Sequence, residues 1–151
     1  MPTDSRLPRI LHVLLHLEGI DEPVTSDMIG KMLNTNPSLV RRTMGGLRKA
    51  GMVGSIRGHN GGWYLKRKLN EITLAEVYDA LGAPNLFSVG QSSDAPQCLL
   101  ERSANKATAK ALASARSSFL AELNSVTVAD LVTESRATIA KHHMTKDGMA
   151  E

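Results

Sequence analysis

Cysteine is nearly absent: Cys98 is the single thiol in 151 residues. That count excludes an intrachain disulfide framework, and any zinc or iron–sulfur site that draws several thiolates from one chain. Aromatic residues make up only 3% of the chain, and the apolar runs are a few residues long, so nothing approaches a membrane span. The stretch Met1-Pro2-Thr3-Asp4-Ser5-Arg6 lacks the basic flank and apolar run of a secretory signal, and the expected address is the cytoplasm. What is present is ordinary for a globular chain: 42% hydrophobic and 22% charged residues, which suits one soluble domain or one domain with an appended arm.

Acidic residues are missing from one long interval. None lies between Asp27 and Glu71, where Lys31, Arg41, Arg42, Arg48, Lys49, Arg57, Lys66, Arg67 and Lys68 stand unopposed. Residues 1–68 carry a net charge of +6 and residues 69–151 a net charge of −3. The first part suits a polyanion, or else presents a solvated basic face.

Hydrophobic periodicity predicts the elements. Leu7, Ile10, Leu11, Leu14 and Leu15 form one stripe of a first helix, stopped by Gly19. A second helix is expected from Ser26 as N-cap, with Met28, Ile29, Met32 and Leu33 buried, ending near Asn34. Thr35-Asn36-Pro37 is a short capped link into a third helix, whose buried side is Val40, Met44 and Leu47 and whose end is Gly51. Met52–Arg57 and Trp63–Leu65 flank the turn Gly58-His59-Asn60-Gly61-Gly62, a β-hairpin. Thr73 and Glu76 match a capping box, opening a fourth helix with Leu74, Val77, Tyr78 and Leu81 on its buried face. Residues 83–97 are rich in turn-formers. A long helix follows from Asn105 to Leu123, with Ala107, Ala111, Ala115, Phe119 and Leu123 on one stripe. Such a helix cannot bury its stripe alone, so pairing with a second copy is expected. Thr127 and Asp130 cap a last helix carrying Val128, Leu131, Val132 and Ile139, and from Lys141 a polar tail is expected to fray. The fold class is thus mainly α with a small β-hairpin wing: a winged helix-turn-helix domain plus a long dimerisation helix.

Three segments carry a resemblance to a known family: Leu47-Arg48-Lys49-Ala50-Gly51-Met52-Val53, then Arg57-Gly58 with Gly61-Gly62-Trp63-Tyr64-Leu65, then Ile72-Thr73-Leu74-Ala75-Glu76-Val77. In this order and spacing the chain resembles the Rrf2 family of bacterial transcription regulators, which includes iron–sulfur and cysteine-metabolism repressors. The resemblance implies a homodimer on a partly palindromic operator of double-stranded DNA, usually acting in repression. Cluster-binding members carry three cysteines between the fourth and the long helix. This chain has Cys98 alone, which excludes a three-thiolate cluster, and no cofactor is expected. Thiol-based redox sensing, small-ligand sensing and association with a metabolic enzyme are the family modes left open.

Candidate residues follow from the elements. Ser38, Arg41 and Arg42 lie at the start of the recognition helix, where arginine reads guanine O6 and N7 or else touches phosphate only. Arg48 and Lys49, later on that helix, suit phosphates. Arg57, His59 and Asn60 suit a minor groove or a solvent-exposed turn. One of Trp63 and Tyr64 should face inward. Cys98 is either a redox switch at the foot of the long helix or a small buried hydrophobe. His12 and His16 are spaced to chelate a metal, yet nothing nearby completes a site; His142-His143 point two ways and carry no reading.

No residues support an enzyme. The expected organisation is residues 1–82 for DNA binding, 83–103 as sensor or linker, and 104–151 for dimerisation and the C-terminal helix. Three hypotheses stand together: a DNA-binding regulator with a thiol switch at Cys98, the same regulator with a small-molecule effector held between loop and long helix, and a winged-helix module that docks protein instead of DNA.

Overall fold

A computed structural model describes residues 3–92 and 98–135. Helix α1 (Arg6–Glu18) buries Ile10, Leu11, Val13, Leu14 and Leu17, and Gly19 caps its end. Helix α2 (Ser26–Leu33) is one residue off expectation at its start: Thr25, not Ser26, is the N-cap, its hydroxyl accepting from the Met28 amide at 3.2 Å. The Ser26 hydroxyl is instead used by the buried Trp63, whose indole Nε1 donates to it at 3.0 Å. Met28, expected inside, is exposed, because a helix this short turns only Ile29 and Gly30 fully inward.

Asn34 takes φ 50°, a left-handed stop that asparagine tolerates. Helix α3 (Pro37–Lys49) follows, with Pro37 in the first turn and the Asn36 side chain accepting from the Ser38 amide at 2.7 Å. Strands β1 (Val53–Ile56) and β2 (Gly62–Leu65) pair antiparallel, Val53 opposite Leu65 and Ser55 opposite Trp63. Trp63 is the aromatic that faces inward; Tyr64 lies outside, its ring over Gly54. A single 3-10 turn (Leu69–Glu71) leads to α4 (Leu74–Ala80), where Thr73 and Glu76 close the capping box in both directions.

Helix α5 (Leu99–Asn124) begins at Leu99, ahead of the expected Asn105. Residues 128–135, α6, are helical behind a Thr127–Asp130 cap. The chain before α6 returns to the first domain: Leu74 N–H donates to the Val126 carbonyl at 2.9 Å, and Val128 N–H to the Ile72 carbonyl at 2.9 Å. Val128 is thereby drawn into the same core as Val77, Ile72 and Leu14. Ile139, His142-His143 and the tail from Lys141 lie outside the described residues.

Two connections that periodicity does not show place the wing. The segment before α2 bonds to β2, Val24 N–H to the Trp63 carbonyl at 2.9 Å and Trp63 N–H to the Val24 carbonyl at 2.8 Å. Gly62 makes this approach possible, since a Cβ there would sit 2.6 Å from the Val24 carbonyl.

Candidate nucleic-acid interface

Burial of Val40, Met44 and Leu47 decides how α3 is turned. At 100° per residue Ser38, Arg42, Gly45 and Lys49 fall on the opposite side, with Arg41 and Arg48 on the flank between the two. Ser38 and the four cations are all exposed. Arg41 and Arg42 make no ion pair among the described residues, so their charge faces outward uncompensated.

Arg48 and Lys49 part company. Arg48 Nη1 donates to the Ser55 hydroxyl on β1 at 2.9 Å, and its guanidinium lies 5.7 Å from the centre of the Trp63 ring. It braces α3 against the wing, and its other guanidinium donors take no hydrogen bond among the described residues. Lys49 sits toward α4, beside a shallow cleft that Glu76 and Asp79 also line. Periodicity cannot show the brace to Ser55, because it crosses elements.

The wing tip is bare. Arg57, Gly58, His59 and Asn60 are exposed, and the Gly61 amide donates to the Gly58 carbonyl at 3.0 Å to close the turn. Of the basic run that leaves β2, Lys66 and Lys68 are exposed, whereas Arg67 is held internally. Its Nη1 donates to Glu76 Oε1 at 2.9 Å and its Nη2 to the Glu71 carbonyl. The Thr73 amide and then Arg67 hold the Glu76 carboxyl below its ordinary value. The cationic surface therefore consists of Arg41, Arg42, Arg48, Lys49, Arg57, Lys66 and Lys68, with Lys31 on α2.

The expected dimerisation residues divide. Ala107, Ala111 and Ala115 are exposed, but Phe119 meets the Tyr78 ring edge-on at 5.5 Å and Leu123 packs on the domain core. The last turns of α5 are thus in contact with the first domain of their own chain through Phe119 and Leu123. Cys98 is exposed at the N-cap of α5, which corrects the buried-hydrophobe reading. The amides of Glu101 and then Leu100 hold its thiol below the ordinary cysteine value, without a capping hydrogen bond of regular geometry.

The loop's described part is tied to α5. The Ser92 amide donates to Asn105 Oδ1 at 2.9 Å, and Asn105 Nδ2 returns a bond to the Ser92 carbonyl at 3.0 Å. Leu86, Phe87 and Val89 border an open cleft against Leu112 and Arg116, the place where a ligand between loop and helix would lie. His12 and His16 bring their Nε2 atoms to 2.8 Å, both rings exposed, and among the described residues no three His, Cys, Asp or Glu side chains group as a metal site. One thiol per chain does not fit an iron site that draws three cysteine ligands from that chain. No described helix is long and apolar enough to cross a membrane.

Comparison with known proteins agrees with this geometry. The family model described as "Rrf2: Iron-dependent Transcriptional regulator" matches residues 3–134. YwnA of Bacillus subtilis (strain 168), named among HTH-type transcriptional regulators, is 32% identical over 130 residues, 85% of this chain and 96% of YwnA. The HTH-type transcriptional regulator IscR of Photorhabdus laumondii is 34% identical over 89 residues, 59% of this chain and 48% of IscR. A crystal structure of CymR (YrzC), described as the global cysteine regulator of B. subtilis, shares the fold with TM-score 0.54 at 22% identity, covering 89% of this chain and 98% of CymR. T. potens IscR shares it with TM-score 0.62 at 19% identity, covering 89% of this chain and 88% of that one.

Proposed function

We propose, for a chain that belongs to the Rrf2 family of DNA-binding transcription regulators, that it binds a partly palindromic operator as a homodimer and represses from it, without an iron–sulfur cluster and without catalysis. The observation that carries this reading is the face of α3: exposed cations that form no ion pair among the described residues, on a helix braced to a glycine-rich wing. Residues 1–82 would hold the DNA, with Ser38, Arg41 and Arg42 at base edges, Lys49 and the free donors of Arg48 at phosphates, and Arg57, His59 and Asn60 at the minor groove. Residues 83–103 would carry the signal and 104–151 the dimer contact, through Ala107, Ala111 and Ala115.

The signal reading rests on Cys98, whose exposed position and amide neighbours favour the thiolate. With one thiol per chain, its reversible product is an intermolecular disulfide, a mixed disulfide with a small thiol, or a sulfenic acid.

Fluorescence anisotropy on duplex DNA from upstream of its own gene, against scrambled competitor, tests both parts. Reduced protein should bind specifically, diamide should release it, and Cys98→Ser should bind but ignore diamide. Arg41→Ala and Arg42→Ala should each lose about 1–3 kcal/mol of specific binding with the fold unchanged. Oxidant-indifferent binding that persists in the wild type removes the thiol switch and favours a ligand in the Phe87–Arg116 cleft. Absence of specific binding in either state, on this duplex and on random-sequence DNA, favours the protein-docking module.

A further inference from the structure

Two adjacent glycines interrupt the middle of α3, and they have different surroundings. At Gly46 a Cβ would lie 2.5 Å from the Ala80 carbonyl oxygen, so the absence of a side chain lets α3 and α4 meet. At Gly45 a Cβ would meet open space: beyond the adjoining backbone of α3 itself, no atom lies within 4 Å of the place it would occupy. Packing therefore accounts for Gly46 and leaves Gly45 without a reason inside the chain, although glycine in a helix interior is less stable than alanine.

The neighbours of Gly45 supply the reason. Residues three and four apart share one helix face, and those positions around Gly45 are Arg41, Arg42, Arg48 and Lys49. A bare patch of backbone thus stands at the centre of four exposed cations, on the side away from Val40, Met44 and Leu47. We propose that Gly45 is the point of closest approach between α3 and the major groove of DNA, a specificity-determining position where a base edge lies against the helix backbone itself. With no side chain there, the axis of α3 sits deeper in the groove, and the four surrounding side chains reach base edges and phosphates on both sides. A methyl at this centre would hold the whole face away, whereas phosphate contacts made by flexible side chains tolerate the added distance. The inference rests on the DNA-binding reading above and names the residue that sets its depth.

The test uses the full chain and a duplex that the wild-type protein enriches from a random-sequence library, with a scrambled duplex as the non-specific probe. Gly45→Ala should lower affinity for the enriched duplex about tenfold and Gly45→Leu about a hundredfold, the scale of one to two mismatched base pairs. Affinity for the scrambled duplex should change by less than about threefold, since counterion release is retained. The thermal midpoint of Gly45→Ala should equal or exceed that of the wild type, while Gly46→Ala should lower it. Gly45→Leu that binds the enriched duplex as tightly as the wild type overturns the proposal and leaves the DNA-binding reading standing. A lowered midpoint in Gly45→Ala, with both duplexes losing equally, assigns the glycine to folding and also overturns it. A wild-type protein that enriches no sequence removes the reading and the inference together.

Discussion

Helix α3 spans 13 residues and sinks Val40, Met44 and Leu47 into the core of its own chain; helix α5 spans 26 and buries none of its residues fully. The short helix is complete within the protomer, and what it offers outward is charge. The long one is incomplete: beyond Phe119 and Leu123 it offers Ala107, Ala111 and Ala115, with Leu99 and Leu100 at 72% and 80% exposure. Charge without a counter-charge suits a polyanion, and small apolar residues at helical spacing suit another helix. In the proposed reading the two helices therefore meet two different partners, one for each.

The largest effect should come from the complete helix. Leu47→Ala removes a fully buried side chain and should cost about 2–5 kcal/mol of stability, read as a urea midpoint lowered from that of the wild type by the same amount at every protein concentration. A concentration-dependent loss would mean that α3 too is completed by a partner. Ala111→Glu, in contrast, places a charge on the exposed stripe of α5. It should leave the monomer folded, abolish the dimer in sedimentation velocity, and weaken operator binding about a hundredfold through loss of the second half-site. An unchanged sedimentation coefficient would break the contrast between the helices.

A smaller effect sharpens how the first domain holds together. Thr73→Ala should cost about 1 kcal/mol by opening the cap of α4. Glu76 on the same cap has a folded-state pKa depressed below its ordinary 4.5, by the Thr73 amide first and Arg67 second. Its contribution is therefore complete above about pH 4.5 and is lost as pH falls through the folded value. The urea midpoint should drop on acidification in that range, and Glu76→Gln should flatten the drop.

Local signals in the chain were strong where a residue's role is settled by near neighbours. Asn36-Pro37 opens α3, Gly51 follows its end at φ 75°, and Thr73 and Glu76 cap α4, all as their spacing predicts. The face of α3 was legible for the same reason: three apolar residues at helical spacing leave only one orientation for Arg41 and Arg42. Contacts across elements were not legible. Ser26 precedes an apolar stripe, where a cap is expected, yet the buried Trp63 indole, which needs an acceptor, takes its hydroxyl. Arg48 and Arg67 looked alike in a run of cations; Ser55 and Glu76 distinguish them, from seven and nine residues away.

By itself, then, the sequence determined the elements, the excess of positive charge between Asp27 and Glu71, and the limit that a single thiol sets. Those properties depend on composition and on spacings of three or four residues, which survive being read along a line. Tertiary structure alone decided which cations stay free, that the wing is bonded to Val24 and braced by Arg48, and that Val126 and Val128 bring the chain back onto the first domain. It also separated Gly45 from Gly46, neighbours in the chain with the same side chain, because only folding places the Ala80 carbonyl beside one and open space beside the other.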